Sequence, residues 1–191
     1  MVKELRTVTG AGVLDCRNAL VETAGDFEKA AEILRKQGMA EAEKRKEREA
    51  NEGLVAAYIH TGDRMGAMVE VNCETDFVAY TDEFRNLAKE LTMQVAASSP
   101  LYVQREDIPE DVIAQQEKAH RSEMEAENKP PDILERIISG KMEKFYKESC
   151  LLEQPYIRDT DITVGELIDR LNATLGENIV VRRFVRYELG Q

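Results

Sequence analysis

LVAAYIHTGDRMGAMVEVNC, residues 54–73, holds two strand-like runs around a polar turn. Residues 54–60 form an apolar run suited to a strand. From Met65 onward, Met65, Ala67, Val69, Val71 and Cys73 alternate with Gly66, Met68, Glu70 and Asn72. Successive side chains of a strand point to opposite faces, so this period of two predicts a second strand. TGDR between the runs turns the chain, and two strands joined by a four-residue loop make a β-hairpin.

Working outward toward the C-terminus, the second strand delivers the chain to Glu74-Thr75-Asp76-Phe77. An acidic residue and a large ring stand side by side there, and two readings are open. In one, Phe77 is a core residue and Asp76 a helix cap. In the other the pair projects as a wedge, since aromatic anchors are common interface hot spots. Thr81 caps a following helix that carries Asp82 and Glu83 in its positive first turn. Phe84, Leu87, Ala88, Leu91 and Val95 share one face of it, which ends before Ser98-Ser99-Pro100. Residues 104–129 read as a weakly packed polar helix opened near Pro109. A better supported helix follows from Pro131, with Leu134, Ile138, Met142 and Phe145 on one side. Thr163 and Glu166 form a capping box for a helix burying Val164, Leu167, Ile168, Leu171 and Leu175. IVVRRFVRY, residues 179–187, reads as a third strand that pairs at an edge of the hairpin. An α+β core with a three-stranded antiparallel sheet packed against helices follows. Helices on one side leave the other short of cover, and Ala57, Ile59, Val69 and Val181 are candidates for burial against something, a second copy of the chain included.

Toward the N-terminus, three short amphipathic helices are expected within residues 1–39. Val2, Leu5 and Val8 begin the first, which stops at Thr9-Gly10-Ala11-Gly12. Val13, Cys16, Ala19 and Leu20 mark the second; Phe27, Ala30, Ala31 and Leu34 mark the third, ending near Gly38. Residues 40–53 are strongly charged and rich in helix formers, as in a solvated helical linker. The expected organisation is a helical module at 1–39, a linker at 40–53 and a core at 54–191 with a polar helical excursion near 104–149.

Composition narrows the chemistry. The 191 residues carry 26 Lys and Arg against 37 Asp and Glu, a net charge of −11. Residues 1–52 hold ten basic and eleven acidic residues, and the rest hold sixteen and twenty-six. So acidic a core argues against direct nucleic-acid binding, which needs cations against phosphate. No apolar run is long enough for a membrane span and the N-terminus lacks a signal-peptide centre, so a cytoplasmic location is expected. Cys16, Cys73 and Cys150 are far apart, with no CxxC pair and no clustered histidine, which suits free thiols rather than a disulfide framework or a zinc site. His60 and His120 fall on different elements without a matched nucleophile. No phosphate-loop or dinucleotide motif is present, and Thr9-Gly10-Ala11-Gly12 joins helix to helix, as a tight turn does. No catalytic, metal-binding or cofactor-binding residues are expected.

KELRTVTGAGVLDCRNALVETAGDFEKAAEILRKQG (3–38), EGLVAAYIH (52–60) and GAMVEVNCETDFVAYTDEF (66–84) together resemble the translation elongation factor Ts family, the nucleotide-exchange factors of elongation factor Tu. The likeness continues more loosely to the C-terminus. It implies that the N-terminal helices are similar to ubiquitin-associated domains and dock the partner's nucleotide domain through Leu5, Arg6, Thr9, Gly10, Ala11, Gly12 and Val13. Thr75, Asp76, Phe77 and Val78 match the family's Thr-Asp-Phe-Val motif, whose Asp-Phe pair enters the partner near its magnesium site. The resemblance further implies GDP release without covalent chemistry and no cofactor of the factor's own. The chain lacks an obvious second core subdomain and a long coiled-coil hairpin, like the short bacterial form, for which a homodimer and a 2:2 complex are expected. The competing expectation is a protein-binding module or scaffold without exchange activity. A small enzyme built on His60 comes third.

Overall fold

A computed structural model of the chain describes residues 1–45, 47–125 and 130–190. Residue 46 of the expected linker and residues 126–129 of the expected excursion lie outside them. Three helices come first: α1 (Val2–Thr9), α2 (Val13–Glu22) and α3 (Phe27–Arg45). Leu5, Cys16, Ala19, Leu20, Ala30, Ala31 and Leu34 close into a small core of their own. Helix α3 does not stop at Gly38 but runs to Arg45. Gly38 lies against the Ala173 methyl, where a β-carbon would come within 3.3 Å, so it gives close approach rather than a stop.

The hairpin forms as read, from β1 (Glu52–Ile59) and β2 (Met65–Cys73), with Ala57 opposite Met68 and Ala56 opposite Val69. After the α-helices described next, β5 (Val180–Glu188) pairs antiparallel with β2, giving the order β1-β2-β5. A short turn of helix, α4 (Asp76–Ala79), leads into α5 (Asp82–Ser98). Thr81 Oγ1 accepts from Phe84 N at 3.3 Å and caps α5 as expected. Phe84, Leu87, Ala88, Leu91 and Val95 are all buried against Ala67, Val69, Val71 and Cys73 of β2. Two further helices follow, α6 (Glu110–Glu125) and α7 (Pro131–Ser149), the second burying Ile138 and Met142. A small hairpin, β3 (Pro155–Tyr156) with β4 (Asp159–Thr163), was not foreseen. Helix α8 (Val164–Leu175) opens on the Thr163–Glu166 capping box and buries Val164 and Ile168, with Leu167, Leu171 and Leu175 partly buried on the same core.

The open face of the sheet departs from expectation. Ala57 and Ile59 lie on it, but Val69 and Val181 are buried under the helices. Two physical reasons apply. The pairing of Ala56 with Val69 sets Val69 on the face opposite to Ala57. In β5 the register shifts where Glu70 pairs with Arg183 but Val71 pairs with Val181, so Arg182 is an extra residue that reverses the alternation. Val55, Ile59, Met68, Val185 and Tyr187 are large exposed apolar side chains of the open face. Glu70 and Arg183 meet across it at 2.7 Å.

Candidate functional site

The Asp76-Phe77 pair occupies the first turn after β2. Thr75 stays extended, at φ −127° and ψ 153°, and its Oγ1 accepts from Val78 N at 3.5 Å to start α4. Within this turn Ala79 is buried and Val78 packs partly on the main core. Asp76 and Phe77 face outward. Phe77 is 81% exposed, so it is not the core residue of the first reading. Tyr80, three residues on, is 71% exposed, with the Arg85 guanidinium 5.7 Å from its ring centre. Sequence reasoning passed over Tyr80, although the i, i+3 spacing from Phe77 to Tyr80 places both rings on one side of a helical turn.

The base of the turn is held from a distant part of the chain. Glu177, just past α8, takes the Glu74 and Thr75 backbone N–H groups on Oε2, each at 3.1 Å. Its Oε1 accepts from Thr75 Oγ1 at 2.5 Å. In return, Glu74 Oε1 accepts from Asn178 N at 2.7 Å. Gly176 caps α8 in the left-handed region at φ 75°, which turns the chain so that Glu177 follows the helix end. From below, Cys73 Sγ donates to Thr75 O at 3.1 Å. Burial pushes the Cys73 thiol up to about 11, so it stays a protonated donor at neutral pH.

The N-terminal candidate residues are divided by the structure. Leu5 is fully buried in the three-helix core, so its side chain is no contact residue in this conformation; the Val2-Leu5 stripe that identified the helix also explains its burial. Arg6, Gly10, Gly12 and Val13 are exposed, and Thr9 and Ala11 are half-buried. Gly10 ends α1 at φ 69°, a conformation that a side chain disfavours, and Thr9 Oγ1 accepts from Ala11 N at 3.3 Å. The glycine-rich segment is thus the tight helix–helix turn read from sequence. Val8 and Leu14 flank it as exposed apolar residues, and the α1 stripe had placed Val8 inward. Thr9 to Gly12 line one wall of a cleft of about 1000 Å³ whose other wall includes Ala173 and Thr174 of α8. Helix α8 therefore adjoins the N-terminal turn along its side and holds the Phe77 turn through Glu177 beyond its end.

Elsewhere, His60 Nδ1 bonds Tyr58 Oη at 2.8 Å, and His120 lies on α6 3.8 Å from Glu123. Among the described residues no cluster of His, Cys, Asp or Glu has the makings of a metal site, and no helix is long and apolar enough to cross a membrane.

Residues 27–191 match the family model described as elongation factor TS. The chain belongs to the elongation factor Ts family. Elongation factor Ts of Moorella thermoacetica is 58% identical over 190 residues, covering 100% of this chain and 94% of its own. Those of Caldanaerobacter subterraneus subsp. tengcongensis and Syntrophus aciditrophicus are 56% identical over 190 residues and 53% over 191, each covering 100% of this chain and 95% of the relative. The relatives span the N-terminal helices as well, so membership of the elongation factor Ts family extends across the paired Asp76-Phe77 turn and the glycine turn alike.

Proposed function

We propose that this chain is a guanine-nucleotide exchange factor that binds elongation factor Tu with GDP and speeds GDP release during translation elongation. The observation that carries the reading is the exposed Phe77 ring on a capped, tethered turn. An aromatic ring left in water on a rigid base suits insertion into a partner better than any role in its own fold.

The mechanism is a coupling of free energies. GDP is held by contacts to its phosphates and by a Mg²⁺ that demands near-octahedral geometry. Phe77 packs between elements that support this site, and Asp76 sets a carboxylate against the ion's shell or its ligands. Factor and nucleotide then weaken each other by the same factor, so a transient ternary complex forms and GDP leaves. Each ~1.4 kcal/mol removed from the GDP-bound state but not from the release transition state raises the rate about tenfold. GTP entry then displaces the factor. The chain makes and breaks no covalent bond in this scheme and uses no cofactor of its own.

Residues 1–39 serve in this reading as a docking module similar to ubiquitin-associated domains, with Arg6, the turn at Thr9 to Gly12, and Val13 as its contact. The segment between α3 and β1 links it to the core, which begins with β1 at Glu52. Two cores pair through their open sheet faces, giving a homodimer that binds two partners, in the cytoplasm. Val55, Ile59, Met68, Val185 and Tyr187 supply the apolar contact.

The test is release of a fluorescent GDP analogue from elongation factor Tu with substoichiometric chain. Acceleration with turnover supports exchange. Binding without acceleration favours the scaffold reading and removes the proposal.

A further inference from the structure

We propose that Glu177 is the positioning residue of the Phe77 wedge, setting the ring's direction by fixing the two residues beneath it. This rests on the exchange reading of Phe77. The residues between β2 and α4, Glu74 and Thr75, lie between the strand and the helical turn, and both of their N–H groups go to one Glu177 oxygen at 3.1 Å. The other oxygen takes the Thr75 hydroxyl at 2.5 Å, so one carboxylate receives three donors from the base of the wedge.

The lock is reciprocal and reaches a third segment. Glu74 accepts from Asn178 N at 2.7 Å, so residues 74–75 and 177–178 each hold the other. Asn178 Nδ2 donates to Arg48 O at 2.8 Å, in the segment before β1. Ile179 N donates to Asn172 Oδ1 at 3.1 Å, which pins the same loop to α8. A ring pressed into a partner transmits force only if its base does not yield; a slack base would spend the contact energy on rearranging its own loop. These bonds tie the Phe77 turn to the far end of the chain, and none of them is needed to bury the ring, because the ring is not buried. A carboxylate that merely satisfied stray N–H groups would be indifferent to what Phe77 does.

The experiment measures GDP-analogue release from elongation factor Tu at saturating chain, with binding and thermal unfolding recorded for each variant. Glu177→Ala is expected to lower the factor-dependent rate about tenfold, the size of one charge-assisted hydrogen bond. Added to Phe77→Ala, it is expected to cost less than about twofold more, since its effect runs through the ring. Glu177→Gln keeps the reach and an acceptor oxygen, and is expected to stay within about threefold of the native rate. If Glu177→Ala exchanges as the native chain does while Phe77→Ala is defective, the positioning role falls and the exchange reading stands. Equal losses from Glu177→Ala with and without Phe77 make the role general stability and overturn the proposal. A fully active Phe77→Ala removes the wedge itself. Should Glu177→Ala not fold, Glu177→Gln (reach without charge) against Glu177→Asp (charge without reach) decides: an active Gln variant with an impaired Asp variant supports positioning, and the reverse refutes it.

Discussion

Phe77 and Phe84 stand seven residues apart with opposite surroundings, so truncating each to alanine separates a wedge from a core residue. Phe84 is fully buried. Its loss removes the transfer energy of a large ring and leaves a cavity under the sheet, a cost of about 3–5 kcal/mol. Phe77 is 81% exposed, so of the roughly 200 Å² that a phenylalanine can bury only about 40 Å² is at stake, worth ~1 kcal/mol at about 25 cal/mol per Å². In a chain of 191 residues, ~1 kcal/mol moves Tm by about 2–4 °C. The chain has no tryptophan, so urea and thermal unfolding are best followed by far-UV circular dichroism. Phe77→Ala is expected to stay within that small shift and Phe84→Ala to exceed it several-fold. A Phe77→Ala variant that loses about 3 kcal/mol or more would overturn the wedge. The ring would then be a structural residue in solution, and its role as a wedge would have no physical basis.

Three further outcomes are expected. Thr163→Ala breaks the capping box of α8, in which Thr163 N and Glu166 N are both bonded, and costs about 1 kcal/mol by urea unfolding; a neutral variant would contradict the cap's assigned role. Burial pushes the Cys73 and Cys150 thiols from 9.0 up to about 11, so the fold favours their neutral forms. Their stabilisation is fully present below about pH 9 and is lost as pH rises toward 11. Urea midpoints measured across that window should fall more steeply for the native chain than for Cys73→Ala/Cys150→Ala, and parallel curves would contradict this. Ile59→Asp on the open sheet face should convert a dimer to a monomer in sedimentation while changing chain stability by no more than about 0.5 kcal/mol. Light scattering that finds the native chain monomeric at tens of micromolar would end the dimer reading.

Much of the fold was legible because its signals are local. The strand alternation at 65–73, the caps at Thr81 and Thr163 and the stripe from Phe84 to Val95 each follow from neighbouring residues alone. Non-local facts escaped. The bulge at Arg182 is set by pairing with β2, and it moved Val181 to the covered face. Gly38 looked like a helix stop, but its small size serves the approach of α3 to Ala173. The β3–β4 hairpin is too short to show a period. At the site, residues 75–78 were read from the family's motif, yet the exposure of Phe77 depends on which side of α4 faces the core, and only the placement of Val78 and Ala79 against that core settles it. Glu177 was invisible for the same reason: its partners stand 102 and 103 residues earlier in the chain.

In the proposed exchange reaction Phe77 accelerates GDP release rather than merely helping the chain to bind. Stopped-flow release of a GDP analogue from elongation factor Tu, titrated with native chain and with Phe77→Ala, separates the two. The variant's maximal release rate is expected to fall by about tenfold or more while its half-saturating concentration shifts far less. An unchanged maximal rate with a raised half-saturating concentration would contradict it, leaving Phe77 as a docking contact and moving the source of exchange elsewhere in the chain.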